Sequence, residues 1–520
     1  MEKNDIENFY QLFDYIADNN VNYIEYLYWS ERKYKYLKKS FAEIHRDIRN
    51  CYSNLKQFGI TDNSIILIDI DNSYEFLVCD FAVILTGALS VVSNSNEPSE
   101  IVIDRVEQFK VDYIISKKTN ADLGVDTKVI DIYSLLEISN NSEVVPTRYN
   151  KRDFSIVFSS GTSGFPKALG ITEPGSIRSS RHFFNYMRFY SSDKFMIYLP
   201  LANYQQRFFF WGCLITSVNI AFGDDKSLLH ALKEFNPTIL LASPNFYYNL
   251  FCLDNNKKSL AKKIFKNIDN RIICRHITHK PIYEALGKKM RYLLTGMAPI
   301  DIKILEHFRE SNLEIYQIYG QTEIGMIACN NKKQNRIGTV GKPIIKLYLS
   351  EDNEIITQSD FPIVSCYYNK DNTKDFLDIT RPTGDVGSID DDGFLRISGR
   401  MNETIILNNG AKINPITIEQ KIKSSLQIAD IVIFKTRQES DSFTLNIVLL
   451  LDGFSSLDDK IVKQNISSVQ EIKANTTDVH IYKYSFTHDE KRIFYTENEK
   501  FSRARAISFF KDNSEKLIAI

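Results

Sequence analysis

The sequence predicts an α/β protein with a smaller α+β unit toward its carboxyl end. Three observations carry that expectation. Short runs of apolar, often branched residues recur at strand length, and segments of helical length fall between them, the order that builds a largely parallel sheet covered by helices on both faces. Polar, glycine-containing motifs follow several of the strands, where ligands bind in such sheets. Toward the carboxyl end the pattern changes, with short strands such as "FLRIS" and "IVIFK" among charged helical pieces, so a boundary is expected near Gly399–Arg400.

Between Tyr36 and Gly59 the apolar residues Leu37, Phe41, Ile44, Ile48, Cys51 and Leu55 recur at steps of four and three. That spacing predicts one face of an amphipathic helix, which Gly59 ends. "SIILIDI" (64–70) reads as a strand buried on both faces, "YEFLVCDFAVILTGA" (74–88) as a helix and "VDYIIS" (111–116) as another short strand. "FSIVF", "TILLA" (238–242), "MRYLL" (290–294) and "LEIYQIYG" (313–320) continue the strand series, and "RFFFWG" (207–212) reads as a buried helix start.

Composition narrows the class. With 520 residues, 43% hydrophobic and 25% charged, the chain is long enough for two or more ordinary globular domains. A formal net charge of −1 provides no global attraction to nucleic acid or acidic membranes. The seven cysteines are scattered without a CxxC pair, which suits reduced, buried thiols rather than a disulfide framework or zinc site. The acidic, polar start is no secretory signal, and no apolar run reaches the ~20 residues that span a bilayer. A cytoplasmic location, with neither nucleic acid nor a membrane as partner, is expected.

"SSGTSGFPKALG" (159–170) follows "FSIVF" and concentrates glycines, hydroxyls and one lysine. Such a loop suits phosphate oxygens: glycine tolerates the backbone angles that converge N–H groups, and Ser159, Ser160, Thr162, Ser163 and Lys167 add donors and charge. Standing alone it also reads as a Gly/Ser surface turn. A GxxxxGK(S/T) phosphate loop does not fit, because Pro166 takes the second glycine position and Ala168 the metal-binding hydroxyl.

"SSGTSGFPKA" resembles the (S/T)SGTTGxPKG loop of the AMP-forming adenylating enzymes, which comprise acyl- and aryl-CoA synthetases, nonribosomal peptide synthetase adenylation domains and luciferases. Further segments resemble that superfamily in order: "YLPLANYQQ" (198–206), "LLTGMAPI" (293–300), "IYGQTEIG" (318–325), "IGTVGKP" (337–343), "TGDVGSIDDDGFLRISGR" (383–400), "IILNNGAKINP" (405–415) and "NEKFSRA" (498–504). The resemblance implies a large N-terminal domain of parallel and mixed sheets flanked by helices (1–399, AMP-binding) and a small mobile α+β C-terminal lid (400–520).

The activity it implies is attack of a carboxylate, aryl or acyl, on the α-phosphate of ATP with Mg²⁺. The acyl-adenylate then passes its acyl group to a thiol, of CoA or of a free-standing phosphopantetheinyl carrier protein. An anionic nucleophile meeting an anionic phosphate requires neutralisation and alignment. By resemblance, Ser159, Ser160, Gly161, Thr162, Ser163, Gly164 and Lys167 hold phosphates, and Gly296, Met297, Ala298, Tyr319 and Gly320 hold adenine. Asp385 accepts hydrogen bonds from the ribose hydroxyls and Arg400 also contacts the ribose. Thr322 touches the α-phosphate, Glu323 holds Mg²⁺, and Lys500 reaches both the carboxylate and the α-phosphate oxygen. Asn203, Tyr204, Phe246, Met297 and Ile324 are expected to line the acid pocket.

Departures from the pattern cluster in the carboxyl-terminal part: Asn402 at the hinge, Ile406, Thr417 and Glu499, with "ITRP" before "TGD" where a tryptophan is usual. They bear on the thioester step more than on adenylation. "LPLANYQQRFFFW" holds no acidic residue to receive an α-amino group, which counts against the alternative of a stand-alone amino-acid adenylation enzyme. A degenerate nucleotide-binding module is the remaining alternative, opposed by Thr322, Glu323, Asp385, Arg400 and Lys500.

Overall fold

Two large mixed sheets organise the amino-terminal part of the chain in a computed structural model. The model describes all residues except 1–2, 31, 94–96, 138–143, 145–152, 160–166, 265–281, 369–372, 376–378, 407–411, 424–425, 427, 438–442, 453–457, 468, 470–478, 488 and 496–500. One sheet has eight described strands, in the order Thr373–Asp375, Val364–Tyr368, Lys167–Thr172, Asp153–Ser159, Leu89–Ser93, Ile65–Asp69, Tyr113–Ser116 and Lys128–Asp131. Its last five strands run parallel and the others pair antiparallel. The second sheet has nine, in the order Lys342–Pro343, Gly325–Cys329, Ile315–Gln321, Tyr292–Thr295, Ile239–Ala242, Lys194–Ile197, Asn219–Phe222, Tyr23–Ser30 and Lys33–Ser40.

Each expected strand forms, and the expected helix over 74–88 runs Tyr74–Thr86 with Gly87 left-handed at its end. The helix expected from Tyr36 is shorter. Residues 33–40 are instead an edge strand, with Leu37 opposite Tyr26, and the helix begins at Phe41 and ends at Gln57, just before Gly59. Local chemistry sets that start: Ser40 Oγ accepts from the Glu43 N–H at 3.2 Å, and the Glu43 carboxylate accepts from the Ser40 N–H at 2.8 Å.

The helices Tyr74–Thr86 and Tyr204–Thr216 are apolar nearly all round and buried nearly all round, as a helix in the interior must be. One apolar cluster joins their side chains to strands of both sheets, including Ile68 and Val157 on one side and Phe195 and Ile220 on the other. Inside it lies an ion pair. Arg207, 0% exposed, donates from Nε and Nη2 to the Asp80 carboxylate at 2.9 and 2.6 Å, and from Nη1 to Ser155 Oγ at 2.9 Å. Burial pushes the Asp80 carboxyl up, and the guanidinium opposes that shift. Ser155 stands on the strand that leads into the 160–166 loop, so the pair fixes two helices and that strand at one point.

A four-stranded antiparallel sheet follows, of Lys346–Leu349, Glu354–Gln358, Thr380–Ile389 and Leu395–Arg400. Beyond it a separate core gathers around Asp430–Arg437, Phe443–Asp452 and Val479–Phe486, with the helix Pro415–Lys423 on it. Among the described residues no helix is long and apolar enough to cross a membrane. The six described cysteines are free thiols, five of them buried.

Two predictions follow from buried charge. Arg207→Met alone strands the Asp80 carboxylate and should cost about 3–5 kcal/mol in a urea unfolding midpoint, whereas Asp80→Leu combined with Arg207→Met should recover most of that loss. Glu173 accepts from the Phe9 N–H at 2.6 Å, and burial raises its carboxyl to about 7 from its ordinary 4.5. The folded state therefore keeps a proton that the unfolded chain releases. Its contribution is complete below pH 4.5 and is lost as pH rises through 7. Glu173→Gln should remove about 2 kcal/mol of that pH dependence in thermal unfolding scans.

Candidate active site

Parallel strands release their loops at one edge. Lys194–Ile197, Ile239–Ala242, Tyr292–Thr295 and Ile315–Gln321 lie side by side and parallel. The segments that follow them (Asn203 and Tyr204; Phe246; Gly296, Met297 and Ala298; Thr322, Glu323 and Ile324) therefore leave the same edge of the nine-stranded sheet. Thr295 Oγ1 donates to the Ala242 carbonyl at 3.1 Å, fixing adjacent strand ends.

Thr322, Glu323 and Ile324 form the turn of an antiparallel hairpin between Ile315–Gln321 and Gly325–Cys329. Two glycines make the hairpin tight. A Cβ on Gly320 would lie 2.5 Å from the Gly325 carbonyl oxygen, and Gly325 itself has φ +97°. Gly296 is confined in the same way, its Cβ position being 2.9 Å from the Ile318 carbonyl oxygen. Thr322 and Glu323 remain half-buried at the turn, where a hydroxyl and a carboxylate can meet a ligand.

Behind the turn stands a network centred on Asp385, which pairs in register with Arg400 across the small antiparallel sheet. Tyr319 donates its hydroxyl to Asp385 Oδ2 at 2.5 Å, Gln321 donates to the same oxygen at 2.7 Å, and Arg400 Nε faces Oδ1 at 2.9 Å. Gln321 and Arg400 also donate to the Thr383 carbonyl, at 2.9 and 3.1 Å. Burial pushes the Tyr319 phenol well up, and the Asp385 charge adds to the shift, so the phenol remains a donor. An ionised carboxylate has about four acceptor positions. Its three protein donors fix Asp385 in place and leave acceptor capacity for a ligand.

Arg381 joins the two sheets at the site. Its Nη1 donates to the Glu323 carbonyl at 2.7 Å and its Nη2 to the Val364 carbonyl at 2.6 Å, and burial lowers its pKa. Val364–Tyr368 pairs antiparallel with Lys167–Thr172, which pairs in turn with Asp153–Ser159. Ser159 stands opposite Lys167, so these two residues form a neck on either side of positions 160–166. The Lys167 ammonium lies 5.4 Å from the Tyr367 ring centre. Burial raises the Tyr367 phenol and the Glu323 charge raises it further, while Arg381 opposes the shift.

Arg381 thus links the hairpin turn of Thr322 and Glu323 to the sheet that carries Ser159 and Lys167, and Tyr319, Gly320, Asp385 and Arg400 stand behind that turn. Ser160, Gly161, Thr162, Ser163, Gly164 and Lys500 lie outside the described residues. Of the expected pocket residues, Asn203 and Met297 are exposed and Phe246 is half-buried. Ile324 is packed, and Tyr204, 3% exposed, belongs to the main core and donates its hydroxyl to Ser176 at 2.7 Å. Gln321, Arg381 and Tyr367 join the site without a cue in the sequence. Gln321 fills the variable position of "YGQTE", Arg381 stands in the departing "ITRP", and "CYYN" carries no motif cue.

Met297 adopts φ +68° while its side chain is exposed. A non-glycine residue there is strained by about 1–2 kcal/mol. Met297→Gly is expected to raise stability by about 1 kcal/mol in denaturant unfolding, because little packing is lost with the strain.

The AMP-binding enzyme family model matches residues 16–354, and the AMP-binding enzyme C-terminal domain model matches residues 402–519. Long-chain-fatty-acid–CoA ligase FadD15 of Mycobacterium bovis is 24% identical over 446 residues, covering 75% of this chain and 74% of that protein. 2-Succinylbenzoate–CoA ligase of Bacillus cereus is 22% identical over 433 residues, covering 76% and 79%. Among solved structures, o-succinylbenzoate CoA synthetase (MenE) from Bacillus subtilis with the acyl-adenylate OSB-AMP superposes with a TM-score of 0.75 at 17% identity, covering 96% and 97% of the two chains. The anthranilate CoA ligase AuaEII with anthranoyl-AMP gives 0.77 at 14% identity, covering 98% and 99%. These structural likenesses establish the fold, a large sheet domain followed by a small α+β domain.

Proposed function

The chain belongs to the AMP-binding enzyme family, and we propose that it is an AMP-forming ligase that activates an aryl or acyl carboxylic acid with ATP and transfers the acyl group to CoA. In the first step a carboxylate oxygen bonds to the α-phosphorus as the bond to pyrophosphate breaks. In the second the CoA thiol, losing its proton, bonds to the acyl carbon and AMP leaves.

The observation that carries this reading is the convergence of Thr322 and Glu323, the Asp385 network and the Ser159–Lys167 neck, tied together by Arg381 and Tyr367. The donor set fits a magnesium-bound nucleotide: a carboxylate on a half-buried turn, a neighbouring hydroxyl and the exposed ammonium of Lys167. Glu323 would hold Mg²⁺, which when bound offsets phosphate charge. Lys167 at the neck holds terminal phosphates and Thr322 orients the α-phosphate. Asp385, already fixed by three donors, accepts from the ribose diol, and Tyr319 and Gly320 with Gly296, Met297 and Ala298 flank the base. Lys500 steadies charge on the carboxylate and α-phosphate as they join, and Asn203, Phe246 and Met297 face the acid. We place the division between an N-terminal adenylation domain and a C-terminal lid after Gly399. The free thiols support a reducing, cytoplasmic setting.

ATP–pyrophosphate exchange over a panel of aryl, fatty and amino acids tests the reading. Exchange with an aryl or acyl acid, followed by AMP release and a CoA thioester, is expected, and Glu323→Gln or Lys500→Ala should slow it about 100-fold or more. Exchange confined to amino acids would replace this reading with amino-acid adenylation. No exchange with any acid, and no effect of Lys500→Ala, would reduce the chain to a nucleotide-binding module.

A further inference from the structure

The strands Tyr23–Ser30 and Lys33–Ser40 end the nine-stranded sheet as a two-stranded ribbon, whose outer strand has no further strand beside it among the described residues. Toward its turn the ribbon exposes Tyr28, Trp29 (63%), Tyr36 (60%) and Leu37. Residues 28–39 carry five basic side chains, Arg32, Lys33, Lys35, Lys38 and Lys39, against one acidic residue. Lys38 pairs with Glu25 and Lys39 with Asp47, which places the excess at Arg32, Lys33 and Lys35, hidden by the chain's net charge of −1. Arg32 and Lys33 are exposed beside the aromatic residues.

From this ribbon we propose that the protein docks on the anionic surface of a lipid bilayer, with Trp29, Tyr28 and Tyr36 at headgroup depth and Arg32, Lys33 and Lys35 against the lipid phosphates. Rings with one polar end and long cationic side chains are the groups that settle at that depth. Adjacent strand residues point to opposite faces, so exposed Tyr28 and Trp29 mean that the ribbon's end stands clear on both sides. A flat protein partner covers one face of such a ribbon, whereas a headgroup layer surrounds both. Edge pairing with a second copy would set Lys33, Lys35, Lys38 and Lys39 against the same lysines, which repel. The ribbon lies on the membrane and does not span it, and the inference is independent of the ligase reading.

Tryptophan emission of the full chain provides the test. The protein has two tryptophans, and Trp211 is 0% exposed, so a blue shift on adding vesicles reports Trp29. Mixed phosphatidylglycerol–phosphatidylcholine vesicles should produce a saturable blue shift and co-sediment the protein, with both effects reversed by high salt and absent with phosphatidylcholine alone. Lys33→Ser with Lys35→Ser, at unchanged circular dichroism, should weaken vesicle binding roughly twentyfold, about fivefold for each lysine. The proposal is overturned by no shift with the mixed vesicles, by equal binding to phosphatidylcholine, or by full binding of the double variant. A shift with poly-glutamate but not with vesicles also overturns it and assigns the ribbon to an acidic protein.

Discussion

The Arg207–Asp80 pair is the constraint on which the site's architecture depends. Two charges removed from water are tolerated only when their geometry and remaining hydrogen bonds are complete. Here both carboxylate oxygens are engaged, and the spare guanidinium nitrogen reaches Ser155, whose hydroxyl is bonded in turn to Ser90 at 2.8 Å. Any sliding of either buried helix, or of the strand carrying Ser155, breaks a desolvated contact. The layer between the sheets is thereby fixed in register, and the strand that delivers the 160–166 loop is fixed with it.

A second pin does the corresponding work at the surface of the site. Arg381 spends its guanidinium on two backbone carbonyls, one beside the Glu323 turn and one in the sheet that carries Lys167. Carbonyl acceptors are insensitive to side-chain identity, so this link between the turn and the neighbouring sheet is set by backbone geometry. The Asp385 network achieves comparable rigidity with side chains, three donors converging on one carboxylate.

Much of this was legible from residues alone, and what was not has identifiable reasons. The strands of the first half follow apolar runs whose burial the structure repeats, as in Ile65–Asp69 and Ile239–Ala242. The helix after the first hairpin is shorter than the spacing predicts because Leu37 matches the helical spacing by coincidence. The competing cue, a serine with glutamate three residues on, was in the sequence at Ser40 and Glu43. Asp80 is a lone charge inside the apolar stretch 76–85, but its partner stands 127 residues later and no local pattern announces it. The same holds for Arg381, whose position looked like a departure from the expected motif, and for Gln321, which occupies a position the motif leaves free.

The eight-stranded sheet has a consequence for how the chain is made. Lys167–Thr172 is completed on its outer side by Val364–Tyr368, and Ser365 reaches the Gly170 carbonyl across a separation of 195 residues. Translation at about 5–20 residues per second puts that partner roughly 10–40 s behind. During that interval a nascent polypeptide presents an unsealed β edge, a template for aggregation. Productive maturation of this protein on the ribosome is thus a race between elongation and edge-to-edge association, decided by a strand far downstream of the loop it supports.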